Sequence, residues 1–259
     1  MASREGNGVA LVTGASSGIG EALSRRLAAA GRPAGLVARR AERLDALATE
    51  IRRGGGRAAT FPCDVSDREA VRRAVAECEE TLGPVDLLVA NAGISENTRP
   101  DALDAAGVER ILRVNFLGAV YCVEAVLPGM LERDRGRLVA VSSLAGYGGL
   151  PLTGAYSASK GAMTNFFESL RIDLRGTGVG VTVVSPGYVR TPMTEGSPHP
   201  KPFLIDAEDA AERIDRAIEK GRGSASFPWP LAAFAWIARI FPRTLYDRLA
   251  ARVDRRKEG

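Results

Sequence analysis

The sequence predicts an α/β fold in which a doubly wound parallel sheet is flanked by helices on both faces. Short apolar runs rich in β-branched residues alternate with amphipathic segments along residues 9–220, as expected of a parallel sheet covered on both sides. A glycine-rich turn directly follows the first apolar run. The chain has 259 residues, of which 45% are hydrophobic, enough for one sizeable core.

The apolar runs predict six strands, each followed by a segment of helical periodicity. The predicted strands are residues 9–12, 33–38, a run up to residue 63, 85–90, 138–142 and 179–185, and the predicted helices are residues 21–30, 41–53, a helix from residue 66, 101–130, 154–175 and 207–220. Ser66, with Glu69 three residues later, matches a helix-capping pattern, and Asp206 is the expected cap of the last helix. We expect a single domain over residues 1–259, with a polar tail at 1–7 and an apolar, amphipathic C-terminal extension at 225–259.

The turn after the first strand contains Gly14, Gly18 and Gly20. Strand, glycine turn and helix in this order are the context of a phosphate-binding loop, because glycine lets the backbone approach a pyrophosphate and the free N–H groups of the helix bind the anion. The alternative is a glycine-rich turn that binds nothing. That alternative leaves unexplained why three residues that cost conformational entropy stand together.

Tyr156 and Lys160 lie four residues apart in a predicted helix, so their side chains share a face, about 5–6 Å apart at Cβ. A phenol has an ordinary pKa of about 10. A neighbouring ammonium favours the phenolate and is expected to lower that pKa toward the working range. The pair alone would also fit two residues on a solvated helix face; beside a phosphate-binding turn it predicts an acid–base site.

Three motifs together resemble the signatures of the short-chain dehydrogenase/reductase family. They are Thr-Gly-Ala-Ser-Ser-Gly-Ile-Gly at 13–20, Asn-Ala-Gly at 91–93 and Tyr-Ser-Ala-Ser-Lys at 156–160. Their order and separations match the single-domain form of the family over residues 7–225. The resemblance implies a Rossmann-like fold and hydride transfer between a nicotinamide cofactor and a carbonyl or secondary alcohol. It also implies a homodimer or homotetramer, formed through the helices that contain Asn115 and Tyr156. The family's sugar-nucleotide epimerases and dehydratases are longer, and this chain lacks the length for their extra domain.

The resemblance assigns cofactor contacts to the glycine turn, to strand ends and to a later loop. The implied residues are Gly14, Ser16, Ser17, Gly18, Ile19, Gly20, Arg39, Asp64, Val65, Asn91, Ala92, Gly93, Tyr156, Lys160, Pro186, Gly187, Val189 and Thr191. An acidic residue after the second strand would favour NAD(H), but Arg39 and Arg40 stand there. Arg39 matches the family position that pairs with the 2′-phosphate, Ser16 is a second contact, and Arg40 is expected to face solvent. NADP(H) is predicted over NAD(H), with an exposed basic loop as the alternative role of the arginines.

Four residues match the family's catalytic set. Tyr156 is the implied proton donor, Lys160 also binds the nicotinamide ribose, and Ser143 orients and polarises the carbonyl. Asn115 is the implied helix-kinking residue that anchors a water, and if buried it needs a specific partner. Ser142 is the alternative to Ser143, disfavoured because successive strand residues face opposite sides. A non-catalytic NADPH-binding regulatory protein of the same fold is the alternative function, although a regulator gains nothing from a tuned tyrosine.

Composition argues against other kinds of site. The formal net charge of +4 comes without a long basic run inside the fold, which favours an arginine-rich surface over nucleic-acid binding. Cys63, Cys78 and Cys122 lack the spacing of a disulfide framework or a zinc site. The single histidine, His199, has no acidic or thiol partner nearby in the sequence, so no metal is expected. Residues 1–8 contain no apolar signal region, and a reducing cytoplasm is the expected location.

The segment between Thr191 and Asp206 is expected to close over the substrate. Its four prolines and its apolar residues favour a hydrophobic carbonyl compound, although an ordinary packed loop has the same composition. Residues 227–242 contain both tryptophans but are broken by prolines and fall short of the ~20 residues that span a bilayer. Residues 243–256 form an amphipathic pattern, which predicts either an interfacial membrane helix or a packed tail over the active site or a subunit interface. The packed tail is favoured because an exposed apolar helix is costly in water.

Overall fold

The structure is a computed structural model that describes residues 8–195 and 201–238, together with residues 244 and 247. Its centre is a seven-stranded sheet of order β3-β2-β1-β4-β5-β6-β7, in which every pairing is parallel. The strands are β1 Val9–Thr13, β2 Ala34–Ala38, β3 Ala58–Pro62, β4 Val85–Ala90, β5 Gly136–Val141, β6 Val179–Pro186 and β7 Ser224–Phe227. The predicted fold class, a doubly wound parallel α/β sheet, is confirmed.

Helices cover both faces of the sheet because successive strand residues point to opposite sides. They are α1 Gly18–Ala29, α2 Ala41–Arg53, α3 Arg68–Leu82, α4 Ala105–Leu112, α5 Gly118–Glu132, α6 Gly154–Asp173, α7 Pro192–Glu195, α8 Ala207–Glu219 and α9 Trp229–Ala238. Leu11 and Leu88 pack into a core with α3, α5 and α6, whereas their neighbours Val12 and Val89 pack into a second core with α1, α2 and α8. The strands are therefore apolar on both faces, which is why they appear in the sequence as continuous runs.

The predicted helix over residues 101–130 is interrupted in the structure. A 3₁₀ turn at Pro100–Ala102 precedes α4, and a π-helical turn at Arg113–Leu117 separates α4 from α5. Taken together, α4, the π-helical turn and α5 span Ala105–Glu132, which is long and apolar enough to cross a membrane by length and composition. Its residues Val123, Val126 and Met130 belong to the core beneath the sheet, so it packs as a sheet-covering helix.

Two predicted caps differ from the observed ones. The N-cap of α3 is Asp67, whose side chain accepts from the Ala70 N–H at 3.0 Å. Ser66 is not the cap, because its N–H and hydroxyl both donate to Asp64, at 2.9 and 2.8 Å. Asp206 does precede α8, but its side chain makes no capping bond and accepts instead from Arg190 at 2.8 Å.

The sequence interpretation missed the last strand and helix. Ser224–Phe227 alternates exposed and less exposed residues as an edge strand beside β6, so the predicted C-terminal extension begins inside the sheet. The following segment, Trp229–Ala238, is helical although it begins with Trp-Pro. Residues 1–7 and His199 lie outside the described residues, as do the middle of the predicted substrate loop and nearly all of the amphipathic pattern at 243–256.

Candidate active site

One cleft opens at the carboxyl ends of β1 and β4, where the strand order reverses direction. In parallel α/β sheets this crevice is where ligands bind. The predicted site residues lining it are Gly14, Ser16, Ser17, Gly18, Ile19, Arg39, Asp64, Val65, Asn91, Ala92, Gly93, Ser143, Tyr156, Lys160, Pro186, Gly187, Val189 and Thr191. Gly20 and Asn115 do not line the cleft; both lie behind its wall.

The glycine-rich turn is shaped by contacts that leave no room for side chains. Gly14 and Gly18 have positive φ angles of 68° and 56°, which disfavour other residues. A Cβ at Gly18 would lie 2.7 Å from the Thr191 Cγ2 atom, and one at Gly20 would lie 2.4 Å from the Gly14 carbonyl oxygen. The turn passes directly into the N-terminus of α1, so its geometry fits the binding of a phosphate group.

Asn91 and Thr13 hold the glycine turn to the end of β4. The Asn91 Nδ2 atom donates to the Thr13 carbonyl at 2.9 Å. The Thr13 hydroxyl accepts from the N–H groups of Asn91 and Ala92, both at 3.0 Å. Asn91, predicted at this strand end, is thus a brace between strands, and Thr13 is a second brace that was not singled out from the sequence.

The two adjacent arginines after β2 have different contacts. Arg40 is exposed, as expected, but its guanidinium also donates to the Ser16 hydroxyl at 2.9 Å, to the Ser16 carbonyl at 3.2 Å and to the Ser17 hydroxyl at 2.9 Å. Arg39 is 68% exposed in its side chain and lies 4.0 Å from the Asp64 carboxylate. Both arginines line the cleft, so this end of it is framed by two positive charges.

Asp64 and Val65 stand where the chain leaves β3. The Ser66 N–H and the Ser66 hydroxyl donate to the Asp64 carboxylate, which helps to hold its pKa below the ordinary value although burial opposes this. A Cβ at Gly118 of α5 would lie 2.9 Å from the Val65 Cγ2 atom, so Val65 is fixed between α5 and the cleft. Cys63, beside them, also lines the cleft and is a free thiol whose pKa burial raises to about 11.

The two neighbouring serines after β5 have separate environments. Ser142 is buried, and its hydroxyl donates to the Lys160 carbonyl at 2.9 Å and bonds the Thr164 hydroxyl at 2.8 Å. Ser143 lines the cleft together with Tyr156; its hydroxyl accepts from the Ala145 N–H at 3.1 Å and donates to the Pro186 carbonyl at 3.5 Å. Because Ser142 is engaged inside the core, Ser143 is the hydroxyl available at the cleft.

The expected lowering of the Tyr156 pKa by Lys160 is not found. Burial raises the pKa of Tyr156, and the nearby Ser143 hydroxyl opposes this only in part. The Lys160 Nζ atom lies 5.9 Å from the centroid of the Tyr156 ring and donates to the Val141 carbonyl at 2.8 Å. Burial also lowers the pKa of Lys160 itself, to about 8. The sequence argument accounted for the charge of the ammonium and omitted the desolvation of both groups.

Asn115 lies in the π-helical turn and is fully buried. Its Oδ1 atom accepts from the Ile94 N–H at 2.7 Å, and its Nδ2 atom donates to the Ile94 carbonyl at 2.9 Å and to the Ser159 hydroxyl at 3.0 Å. The partner that a buried asparagine requires is thus present. These bonds join the loop after β4 to the helix that contains Tyr156 and Lys160.

The loop after β6 closes the other end of the cleft. The Gly187 N–H donates to the Phe227 carbonyl at 2.7 Å, and a Cβ at Gly187 would lie 2.7 Å from the Leu231 Cδ2 atom of α9. Val189 is buried and forms a bridge with Ile205. The loop is therefore placed by β7, α9 and the segment before α8. None of these elements belongs to the loop motif from which its four predicted residues were taken, Pro186, Gly187, Val189 and Thr191.

Thr98 is a further residue that the sequence did not single out. Its N–H donates to the Leu152 carbonyl at 2.7 Å, and its hydroxyl accepts from the Ala155 N–H at 3.1 Å. It therefore caps α6 from another loop, one residue before Tyr156, while Thr153 at the N-cap position makes no such bond. A cap contributed from a distant segment leaves no local pattern by which the sequence could reveal it.

Acidic, thiol and imidazole side chains of residues 8–195 and 201–238 form no group of three that could hold a metal ion.

Comparisons with known proteins agree with this geometry. The family model described as short chain dehydrogenase matches residues 8–201. The chain is 42% identical over 244 residues to an uncharacterized oxidoreductase of Myxococcus xanthus, covering 94% of this chain and 96% of that protein. It is 36% identical over 249 residues to an 11-beta-hydroxysteroid dehydrogenase-like protein, 4A, of Arabidopsis thaliana, covering 93% and 83%.

Among solved structures, the chain is similar to a variant of the actinorhodin polyketide ketoreductase with NADPH. The TM-score is 0.81 at 31% sequence identity, and the match covers 90% of this chain and 99% of that one.

Proposed function

The chain belongs to the short-chain dehydrogenase family and is an NAD(P)-dependent oxidoreductase, and from this premise we propose that it transfers hydride between NADP(H) and a hydrophobic carbonyl compound or secondary alcohol, with Tyr156 as the acid–base group. The observation that supports this most directly is that Ser143, Tyr156 and Lys160 line one cleft together with the glycine-rich turn.

The proposed chemistry assigns one task to each of three side chains. The nicotinamide, when bound, supplies the hydride. In the reductive direction Tyr156 donates its phenolic proton to the carbonyl oxygen as negative charge develops there, and Ser143 donates a hydrogen bond to the same oxygen. The resulting phenolate takes a proton from solvent, and the Lys160 ammonium would hold the hydroxyls of the nicotinamide ribose, as the family resemblance implies. In the oxidative direction the phenolate accepts the alcohol proton.

The proposed preference for NADP(H) rests on Arg39 and Arg40. Both guanidinium groups frame the cleft beside Ser16, and a 2′-phosphate is a dianion that such groups bind with charge-assisted hydrogen bonds. No acidic residue follows β2 directly, where a carboxylate would favour NAD(H). The Asp64 carboxylate, 4.0 Å from Arg39, follows β3 instead. The related ketoreductase structure with NADPH supports the same preference.

The proposed substrate is hydrophobic because of the residues around Tyr156. The charged residues that line the cleft within the described chain, other than Lys160, lie at the end beside the glycine turn and β3. Near the catalytic end the lining includes Ile94, Val114 and Met193, and Met193 is 45% exposed. A nonpolar carbonyl compound fits such a surface better than a charged sugar or nucleotide.

We further propose a homo-oligomer located in the cytoplasm. Oligomers are typical of the family. The helices we expect to meet across subunits are the helical stretch that contains Asn115, in the π-helical turn between α4 and α5, and α6, which contains Tyr156. The three cysteines are free and buried, which is compatible with a reducing compartment.

The test is steady-state turnover of a panel of apolar ketones, aldehydes and secondary alcohols, followed through the nicotinamide absorbance with each cofactor. We expect turnover with NADP(H), lost in Tyr156→Phe, while NADPH binding measured by fluorescence titration stays within about twofold, since the phenol hydroxyl contributes to the chemical step. Tight NADPH binding without turnover of any compound by the unaltered protein would favour the non-catalytic regulatory alternative. Retention of most activity in Tyr156→Phe would refute the assigned acid.

A further inference from the structure

The outer side of α9 exposes four large apolar side chains. Trp229 is 78% exposed, Phe234 60%, Trp236 62% and Ile237 49%. At 3.6 residues per turn these four positions fall within an arc of about 160° on one side of the helix. We call these four residues the α9 aromatic face. Helix α9 itself contains no charged residue, so the face is uninterrupted and apolar.

The opposite side of α9 is anchored to the catalytic domain. Leu231 packs on Gly187, where an added Cβ would meet its Cδ2 atom at 2.7 Å. The Ala232 N–H donates to the Pro228 carbonyl at 3.0 Å, and α9 contacts both β7 and the 3₁₀ turn at Leu144–Tyr147. The aromatic face therefore lies opposite the side of α9 that packs, through Leu231, on Gly187 at the cleft.

The charge of the chain is concentrated directly after this helix. Residues 239–259 contain seven basic and three acidic side chains. Their net charge of +4 equals the formal net charge of the whole chain, so residues 1–238 are formally neutral. Within that segment Leu245, Leu249 and Val253 recur every four residues among the arginines, a pattern typical of helices that lie in a membrane interface.

We infer that the α9 aromatic face and the basic segment 239–259 together dock on an anionic lipid surface. Tryptophan and phenylalanine are the side chains that partition into the interfacial region of a bilayer. Each basic residue near an anionic surface strengthens binding by about fivefold, when about 1 kcal/mol per charge is converted to an affinity ratio. An apolar face followed directly in the sequence by a concentrated positive charge supplies both contributions.

Charge distinguishes this occupant from a second copy of the chain. A symmetric dimer contact brings the same patch of both subunits together, so the basic segments would lie against each other and repel. An anionic lipid surface neutralises that charge instead. The inference does not depend on the proposed reaction, because docking requires neither NADP(H) nor Tyr156.

The chain provides its own reporter, because its two tryptophans, Trp229 and Trp236, both lie on the aromatic face. In the experiment, the full-length protein is mixed with vesicles of phosphatidylcholine alone or of phosphatidylcholine with phosphatidylserine. Co-sedimentation and tryptophan emission are recorded. We expect water-exposed emission in the free protein, and a blue shift, quenching by bromine-labelled acyl chains and co-sedimentation with the phosphatidylserine vesicles. Binding should weaken as salt is raised, since screening reduces the attraction.

Two variants test the two contributions. Phe234→Gln with Ile237→Gln removes apolar side chains while retaining both tryptophans, and should lower the vesicle partition coefficient about tenfold or more. Arg248→Glu with Arg252→Glu should abolish the preference for phosphatidylserine. Leu103→Gln is the matched control, since Leu103 is 66% exposed but lies far along the chain from α9, and its partition should equal that of the unaltered protein.

Three outcomes would overturn the inference. One is the absence of binding to phosphatidylserine vesicles when emission of the free protein is water-exposed. In the second, the tryptophan emission of the free protein is already blue-shifted and protected from acrylamide, and the Phe234→Gln, Ile237→Gln variant has the mass of a smaller oligomer. A second copy of the chain then covers the α9 aromatic face. In the third, the tryptophans are protected in the same way but the variant has the same mass as the unaltered protein. The chain's own segment 239–259 then covers the α9 aromatic face.

Discussion

The Asn115 side-chain amide donates a 3.0 Å hydrogen bond to the Ser159 hydroxyl, and the Ser159 hydroxyl in turn donates to the Tyr156 carbonyl at 2.7 Å. A buried amide in the π-helical turn is thus connected to the first turn of the helix that contains both catalytic candidates. The same amide is bonded at both the N–H and the carbonyl of Ile94. One side chain therefore fixes α6 and the loop after β4 relative to each other.

Replacing Asn115 should cost both stability and activity. Asn115→Ala leaves buried polar groups of Ile94 and Ser159 without their partner, so we expect the free energy of unfolding to fall by about 2–4 kcal/mol. The measurement is chemical denaturation followed by circular dichroism. Asn97→Ala, at an exposed position in the nearby loop, is the control and should change stability by less than about 0.5 kcal/mol. Equal effects of the two variants would contradict the bracing role.

Ser142 and Ser143 should respond to alanine substitution in opposite ways. Ser143→Ala removes a hydroxyl that faces Tyr156, so we expect kcat to fall by about 10²–10³-fold with unfolding nearly unchanged. Ser142→Ala breaks two buried hydrogen bonds and should instead lower the free energy of unfolding by about 1–3 kcal/mol. Steady-state kinetics and denaturation on both variants make the comparison. A larger loss of kcat in Ser142→Ala, at temperatures where it is folded, would reverse the assignment.

Arg39 and Arg40 should each contribute to cofactor choice. A charge-assisted hydrogen bond contributes about 1.5–3 kcal/mol, so Arg39→Asp should raise the KM for NADPH by about ten- to hundredfold while leaving that for NADH unchanged or lower. Arg40→Ala should also weaken NADPH selectively, because Arg40 bonds Ser16 and Ser17 of the turn. Arg53→Ala, exposed at the end of α2, is the charge-matched control. Parallel changes for both cofactors would show that the arginines do not contact the 2′-phosphate.

The reductive rate should decline above the pKa of Lys160. Burial lowers that pKa to about 8, so the ammonium is present below pH 8 and is lost as pH rises through it. Burial raises the pKa of Tyr156, so the phenol keeps its proton over the same range and does not cause the decline. We expect kcat/KM for reduction to be level below pH 8 and to fall above it.

Lys160→Arg is the control for that profile. Arginine remains charged throughout because its pKa exceeds about 12, so whatever activity this variant retains should show no decline near pH 8. A decline that persists in Lys160→Arg would assign the titration to another group.

Elements with a strong hydrophobic pattern were predictable. Residues 85–90 form β4 and residues 41–53 form α2 with the predicted bounds, since the strand is a nearly continuous apolar run and the helix has one regular apolar side. The family resemblance implied a kink at Asn115, but the π-helical form of that kink was not predicted, because its backbone is determined by what Asn115 bonds elsewhere. The edge strand β7 escaped because only one of its residues is buried, which leaves a weak pattern.

The sequence by itself determined the fold class and the glycine turn, because these depend on local spacing and residue type, and its resemblance to the family implied the residues around the cleft. Tertiary structure decided how those residues are engaged. Arg39 and Arg40 are adjacent and chemically identical, and only the position of the glycine turn assigns Arg40 to Ser16. Desolvation, which depends on everything packed around a group, reversed the expected direction of the Tyr156 pKa.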